Sequence, residues 1–303
     1  MFQGSLVAIV TPFKKGKLDE KAFGALIDFH LQSGTHGIVP CGTTGESATL
    51  SHEEHKRVIE WSVKMVGGRI PVIAGTGSNS TEEAIALTLH AKSAGASAAL
   101  LITPYYNKPT QEGLYQHYKA IARGVDLPLI LYNIPGRTGV NMLPATVARL
   151  MEFDNIVGIK EGTGSLQQIS ELVQHCGDRL TILSGDDFTA LPTLAVGGKG
   201  VISVTANIVP SDMSGMVNAA LRGDYAEGKR RHDRLFPLHA ALFLETNPIP
   251  VKAALALMGK CSDEVRLPLC RMSEENLKKL QKAMKNYGLL DRGQGVRGKR
   301  RYS

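Results

Sequence analysis

Lys160 closes a run, Ile156-Val157-Gly158-Ile159, that otherwise reads as an interior β-strand. Strand side chains alternate, so Lys160 shares a face with Ile156 and Gly158 while Val157 and Ile159 take the other. If the second face packs outward, the amine points into the interior. There an ammonium loses hydration, and the free amine that results can attack a ketone carbon to form an imine. The ordinary alternative is a strand-end lysine snorkelling to solvent, so its neighbours must decide. Tyr132 ends the preceding apolar run, Pro128–Tyr132, and should lie beside it. A phenol there can carry protons to and from carbinolamine and enamine intermediates; otherwise it is a tyrosine packed under a loop.

Gly42-Thr43-Thr44-Gly45 leads towards a helix starting at Ser51, and its N–H groups and hydroxyls could seat a small carboxylate. It lacks the G-K-[ST] ending of a nucleotide loop and is a weak signal alone. His52 and His55 fall in an H-E-E-H spacing that fits neither zinc helix motif, with no third ligand in view, so a solvated helix turn is the simpler reading. Asp186 and Asp187 are a poor octahedral magnesium site and read better as helix N-terminal charge.

What would bring these groups together is a regular alternation. Strands are expected at Leu6–Val10, Gly37–Pro40, Pro71–Ala74, Ala98–Ile102, Pro128–Tyr132, Ile156–Lys160, Thr181–Ser184 and Gly200–Ser203. Amphipathic stretches such as Asp19–Gln32, Ser51–Val66, Ser80–Ala94 and Leu166–His175 lie between them. Eight such units in 303 residues predict an α/β fold, a (β/α)8 TIM barrel, with an open doubly wound sheet as the alternative. Chemistry then belongs at the carboxyl ends of the strands, where the hydroxyls, the glycines (Gly185 among them) and Lys160 collect. Ser51 with Glu54 and Ser80 with Glu83 both fit the capping-box pattern. After Ser203 the strand signal stops, and Ser211–Leu221, Asp224–Leu244, Pro250–Met258 and Ser273–Tyr287 read as helices. The expected division is a catalytic barrel over residues 1–222, a small helical domain over 223–290 and a basic, disordered tail over 291–303.

Hydrophobic residues at 43% provide for a packed core. The net charge of +7 is largely a property of the end: five Lys/Arg against one Asp in 291–303 leave only +3 elsewhere. No RNA- or DNA-binding motif accompanies it, so no nucleic-acid partner is expected. Cys41, Cys176, Cys261 and Cys270 have no paired spacing, which points to a reducing compartment. No apolar stretch reaches the length of a membrane span, and the expected place is the cytoplasm, off the membrane.

Taken together, Gly42-Thr43-Thr44-Gly45-Glu46, Tyr132-Asn133-Ile134-Pro135 and Gly158-Ile159-Lys160 resemble the pyruvate-dependent class I aldolase superfamily of dihydrodipicolinate synthase and N-acetylneuraminate lyase. The likeness runs from Gly4 to at least Leu269 and includes Asn247-Pro248-Ile249-Pro250-Val251-Lys252; only the tail after Tyr287 looks foreign. Thr43-Thr44, Tyr105-Tyr106-Asn107 and Pro135-Gly136-Arg137-Thr138-Gly139 are closer to the synthase branch. The resemblance implies condensation of pyruvate with L-aspartate 4-semialdehyde to 4-hydroxy-tetrahydrodipicolinate, a step of lysine and diaminopimelate biosynthesis, with no metal or organic cofactor. By that resemblance Lys160 forms the imine, and Tyr132, Thr43 and a Tyr106 donated by a second subunit form a proton relay. Thr44, Ile202 and Gly185 would bind pyruvate, and Arg137 the semialdehyde carboxylate. It further implies an allosteric L-lysine site of Ser47, Ala48, His52, His55, Asn79, Glu83 and Tyr105 at a dimer interface, in a homotetrameric dimer of dimers. The competing expectations are a sibling aldolase acting on N-acetylneuraminate or 2-keto-3-deoxygluconate, against which Arg137 argues, and a non-catalytic lysine sensor.

Overall fold

The computed structural model describes residues 2–290; the basic tail expected at 291–303 lies outside them. Eight parallel strands, β1 (Gly4–Ala8), β2 (Gly37–Val39), β3 (Ile73–Gly75), β4 (Ala98–Ile102), β5 (Leu129–Asn133), β6 (Ile156–Glu161), β7 (Thr181–Ser184) and β8 (Gly200–Ser203), pair in the order β2-β1-β8-β7-β6-β5-β4-β3. A parallel bridge between Ile38 and Val72 joins the two ends, so the sheet closes into a barrel.

The strand sequences are apolar on both faces because both faces are covered. Leu6, Ala8, Val39, Ile73, Ala98, Leu100, Ile130, Tyr132, Leu183 and Ile202 fill the barrel. Their alternates, such as Val7, Ile38, Leu101, Leu131 and Ile182, pack outward. The outer ring consists of α1 (Glu20–Gln32), α2 (His52–Val66), α3 (Thr81–Ser93), α4 (Gln111–Gly124), α5 (Pro144–Leu150), α6 (Leu166–Cys176), α7 (Ala190–Ala195) and α8 (Pro210–Leu221). Three helices follow: α9 (Tyr225–Leu242), α10 (Ile249–Leu257) and α11 (Glu274–Tyr287).

Three local expectations need correction. Strict alternation fails at the start of β6, because the register passes from Leu129–Ile156 to Ile130–Gly158 and leaves Val157 as an extra residue. Ile156 therefore packs outward and Val157 against the barrel interior, the reverse of the simple pattern, whereas Ile159 stays outward. A short hairpin, Phe13–Lys14 with Lys17–Leu18, follows β1 unannounced, turning through Lys15 and Gly16 at φ 54° and 77°. The capping box is complete at Ser51/Glu54 but half-formed at Ser80/Glu83: Ser80 Oγ accepts from Glu83 N, while the Glu83 carboxylate turns elsewhere.

The C-terminal helices are tied to the loop after β2. On α10, Lys252 is fully buried and pairs with the equally buried Glu46 at 2.6 Å, donates to Thr11 O at 2.9 Å and lies 4.2 Å from the Phe13 ring centroid. Arg266 donates its backbone N–H to the other Glu46 oxygen at 3.0 Å and its guanidinium to both oxygens of Glu54 on α2. These bonds hold Glu46 at φ 55°, a left-handed conformation that a non-glycine residue keeps only when its surroundings fix it.

Candidate active site

Strand register makes Tyr132 and Lys160 direct neighbours on β5 and β6. Beyond the bulge, alternation turns both inward, and they are 4% and 6% exposed. Lys160 Nζ lies 4.2 Å from the Tyr132 ring centroid, and no carboxylate among the described residues pairs with it. An amine in that position is held against a phenol and kept largely from bulk water, as a carbonyl nucleophile requires.

The next residue on each strand braces the pair from behind. Asn133 Nδ2 donates to Glu161 Oε2 at 3.1 Å, Gln168 Nε2 donates to the same oxygen at 3.1 Å, and Thr163 N donates to Oε1 at 2.7 Å. Glu161 is 1% exposed, and its backbone oxygen accepts from Gly185 N at 2.6 Å. A Cβ on Gly185 would meet the Cα of Gly162 at 3.0 Å and Glu161 O at 3.1 Å, so the β7 loop approaches β6 closely here and a side chain would press on that backbone. Ile202 lies on β8 inside the barrel with Tyr132 and Leu183.

Thr43 and Arg137 line a cavity of about 420 Å³ together with Glu46, Thr138, Thr246 and Asn247. Thr44, 2% exposed, accepts at Oγ1 from Asn247 Nδ2 at 2.9 Å, and Arg137 Nη2 donates to Asn247 O at 3.2 Å. Lys160 and Tyr132 are buried and are not among the residues lining this cavity. Asn247 is a site residue to which the sequence reading gave no role; its one signal was its place in the shared run Asn247-Pro248-Ile249-Pro250-Val251-Lys252.

The same cavity extends to Ser47, Ala48, His52, His55, Glu83 and Tyr105. Six of the seven residues expected for an effector thus share one space; the seventh, Asn79, donates from Nδ2 to Tyr105 O at 3.2 Å. Glu83 receives His52 Nε2 at 2.9 Å and the Ser78 hydroxyl, which is where its carboxylate goes instead of completing the cap. The plain solvated-helix reading fails for His55, which is 7% exposed and whose pKa burial lowers to about 4.

Tyr106 stands apart from all of these. It is 89% exposed with φ 71° and is not among the residues lining the cavity. Asp186 bonds Phe188 N and Thr189 Oγ1, and burial raises its pKa. Asp187 is not helix-terminal charge: it crosses to the β8 loop and accepts from Val204 N and Thr205 N at 3.0 and 2.8 Å.

A closed (β/α)8 barrel with an inward lysine beside a tyrosine, and a cavity at the carboxyl ends of its strands, is the framework of a barrel enzyme. Residues 1–287 match the Dihydrodipicolinate synthetase family, and the chain belongs to it. It is 64% identical over 290 residues to 4-hydroxy-tetrahydrodipicolinate synthase of Thermodesulfovibrio yellowstonii, covering 96% of this chain and all of that one. Among solved structures, the chloride-inhibited dihydrodipicolinate synthase of Acinetobacter baumannii in complex with pyruvate is 51% identical with a TM-score of 0.94, covering 96% of this chain and all of that one. The Cyanidioschyzon merolae enzyme with lysine bound is 41% identical with a TM-score of 0.93, over 95% and 99% of the two chains.

Proposed function

We propose that this lyase condenses pyruvate with L-aspartate 4-semialdehyde to 4-hydroxy-tetrahydrodipicolinate, the reaction in the name of its relatives. The observation that carries the proposal is the buried Tyr132–Lys160 pair. Lys160 Nζ attacks the pyruvate ketone carbon, and loss of water leaves an iminium. Loss of a methyl proton gives an enamine, whose terminal carbon adds to the aldehyde of the second substrate and turns the aldehyde oxygen into a hydroxyl. The substrate's own amine then attacks the imine carbon, the bond to Lys160 breaks, and the ring closes.

Tyr132, Thr43 and Tyr106 move the protons in this scheme, with Thr44, Gly185 and the backbone at Ile202 seating pyruvate. Arg137, at the rim of the cavity, receives the semialdehyde carboxylate, where a guanidinium can bond both oxygens. Because Tyr106 is exposed and left-handed, it acts in the site of a second copy, so the working unit is at least a dimer, paired again into a tetramer.

L-Lysine is the effector. Its ammonium suits Glu83, and its polar end suits Asn79 and Tyr105, in the cavity arm formed by Ser47, Ala48, His52 and His55. In this reading residues 1–222 are the catalytic barrel, and residues 223–290 brace the β2 loop through Lys252, Arg266 and Asn247. Four unpaired cysteines fit a cytoplasmic enzyme.

The test is a comparison of substrates. Purified protein should consume pyruvate with L-aspartate 4-semialdehyde and should not cleave N-acetylneuraminate or 2-keto-3-deoxygluconate. Cleavage of either sugar acid at a higher kcat/KM assigns the chain to a sibling reaction instead.

A further inference from the structure

Asn247 joins the two groups proposed to hold the two substrates, yet the mechanism above gives it no task. Its Nδ2 donates to Thr44 Oγ1 at 2.9 Å, and its backbone oxygen accepts from Arg137 Nη2 at 3.2 Å. The residue is 5% exposed and lines the cavity beside Thr43 and Arg137. Its side-chain oxygen Oδ1 is buried and has no hydrogen-bond partner among the described residues.

A buried amide oxygen without a donor costs about 1–3 kcal/mol, so such atoms persist mainly where something else is served. An L-α-amino acid presents a carboxylate and an ammonium on one carbon. A receptor for both needs a cation and an acceptor side by side. Arg137 is the cation, and the unpaired Oδ1 belongs to the residue hydrogen-bonded to it. Of the two carboxylates that line the cavity, Glu46 is taken by Lys252 and Arg266, and Glu83 lies in the arm assigned to L-lysine, held there by His52 and Ser78.

We infer that Asn247 Oδ1 receives the α-ammonium of the semialdehyde, so that Asn247 and Arg137 together select an aldehyde that is also an α-amino acid. The inference rests on Arg137 taking the semialdehyde carboxylate. It makes Asn247 a specificity residue for the second substrate, while its Nδ2 steadies Thr44 for the first.

The experiment compares wild type, Asn247→Ala and Asn247→Asp, with L-aspartate 4-semialdehyde as substrate and succinate semialdehyde, the same chain without the amine, as competitor. In Asn247→Ala the KM for L-aspartate 4-semialdehyde should rise by about 10- to 100-fold, the worth of a hydrogen bond to a charged group. The inhibition constant of succinate semialdehyde should stay within about threefold, and the KM for pyruvate, which feels only the lost bond to Thr44, should rise less than the KM for L-aspartate 4-semialdehyde. Asn247→Asp, which keeps an acceptor, should recover most of the lost affinity. Parallel losses for both aldehydes, a loss confined to pyruvate, or no recovery in Asn247→Asp would each overturn the inference. A wild-type enzyme that turns over no L-aspartate 4-semialdehyde overturns the underlying reading, and does so before any substitution is made.

Discussion

Tyr132 and Lys160 are register partners on adjacent barrel strands, and the lysine nitrogen rests 4.2 Å from the centre of the tyrosine ring. Tyr132→Phe leaves that ring in the barrel cluster and removes only the hydroxyl. Turnover should fall by about 10²- to 10⁴-fold, the usual worth of a positioned proton carrier. Far-UV circular dichroism and the thermal midpoint should change little. A variant that keeps more than a tenth of wild-type kcat would remove Tyr132 from the relay.

Glu83 sits in the cavity arm assigned to the effector, held by His52 and Ser78. Glu83→Ala removes the one carboxylate that, among the described residues, lines that arm beside Ser47, Ala48, His52 and His55. The lysine concentration giving half-inhibition should rise at least about tenfold, since a hydrogen bond to a charged group is worth about 1.5–3 kcal/mol. Titration of L-lysine at fixed substrates measures it, with the lysine-free rate recorded alongside. Unchanged inhibition in the variant would move the effector elsewhere.

Lys252 and Glu46 form a fully buried pair, so losing one partner strands the other. Lys252→Met leaves the Glu46 carboxylate with only the Arg266 N–H and should destabilise the fold by about 3–5 kcal/mol. The double variant Glu46→Gln/Lys252→Met removes both charges and should recover much of that loss. Urea unfolding of the two singles and the double gives the coupling; additive losses would contradict a direct pair.

Buried histidines set a pH dependence of stability. His117 is 6% exposed, bonds Thr81 Oγ1 at 2.8 Å, and has its pKa lowered by burial to about 4. The unfolded chain binds this proton near the ordinary value of about 6.5. Stability from the neutral ring is therefore complete above that value and is lost as pH falls through about 4. The loss is on the order of 3 kcal/mol. His117→Gln should flatten that part of the stability curve relative to wild type, and superimposable slopes between pH 6.5 and 4 would contradict the assignment.

Much of this arrangement could be read from residue order. Short apolar runs rich in β-branched residues located all eight strands, because each is covered on both faces and hydrophobic composition registers that directly. Lys160 stood out as a charge at the end of such a run. What escaped was whatever depends on partners distant in the chain. The extra residue at Val157 reflects how β6 meets β5 and leaves no mark in local periodicity. Lys252 looks like a helical surface lysine until Glu46, 206 positions away, is brought against it. Asn247 opens a run shared with the family, yet its task shows only beside Thr44 and Arg137. Glu83 has the right spacing for a cap, yet tertiary contacts with His52 and Ser78 claim its carboxylate.

The most direct test of the central claim is chemical capture of the imine. Borohydride reduction in the presence of pyruvate, followed by proteolysis and peptide mass mapping, should place one pyruvate-derived mass on the peptide containing Lys160, abolish activity, and give no such mass in Lys160→Ala. An unmodified Lys160, or the same mass on another lysine with activity lost, would contradict the account.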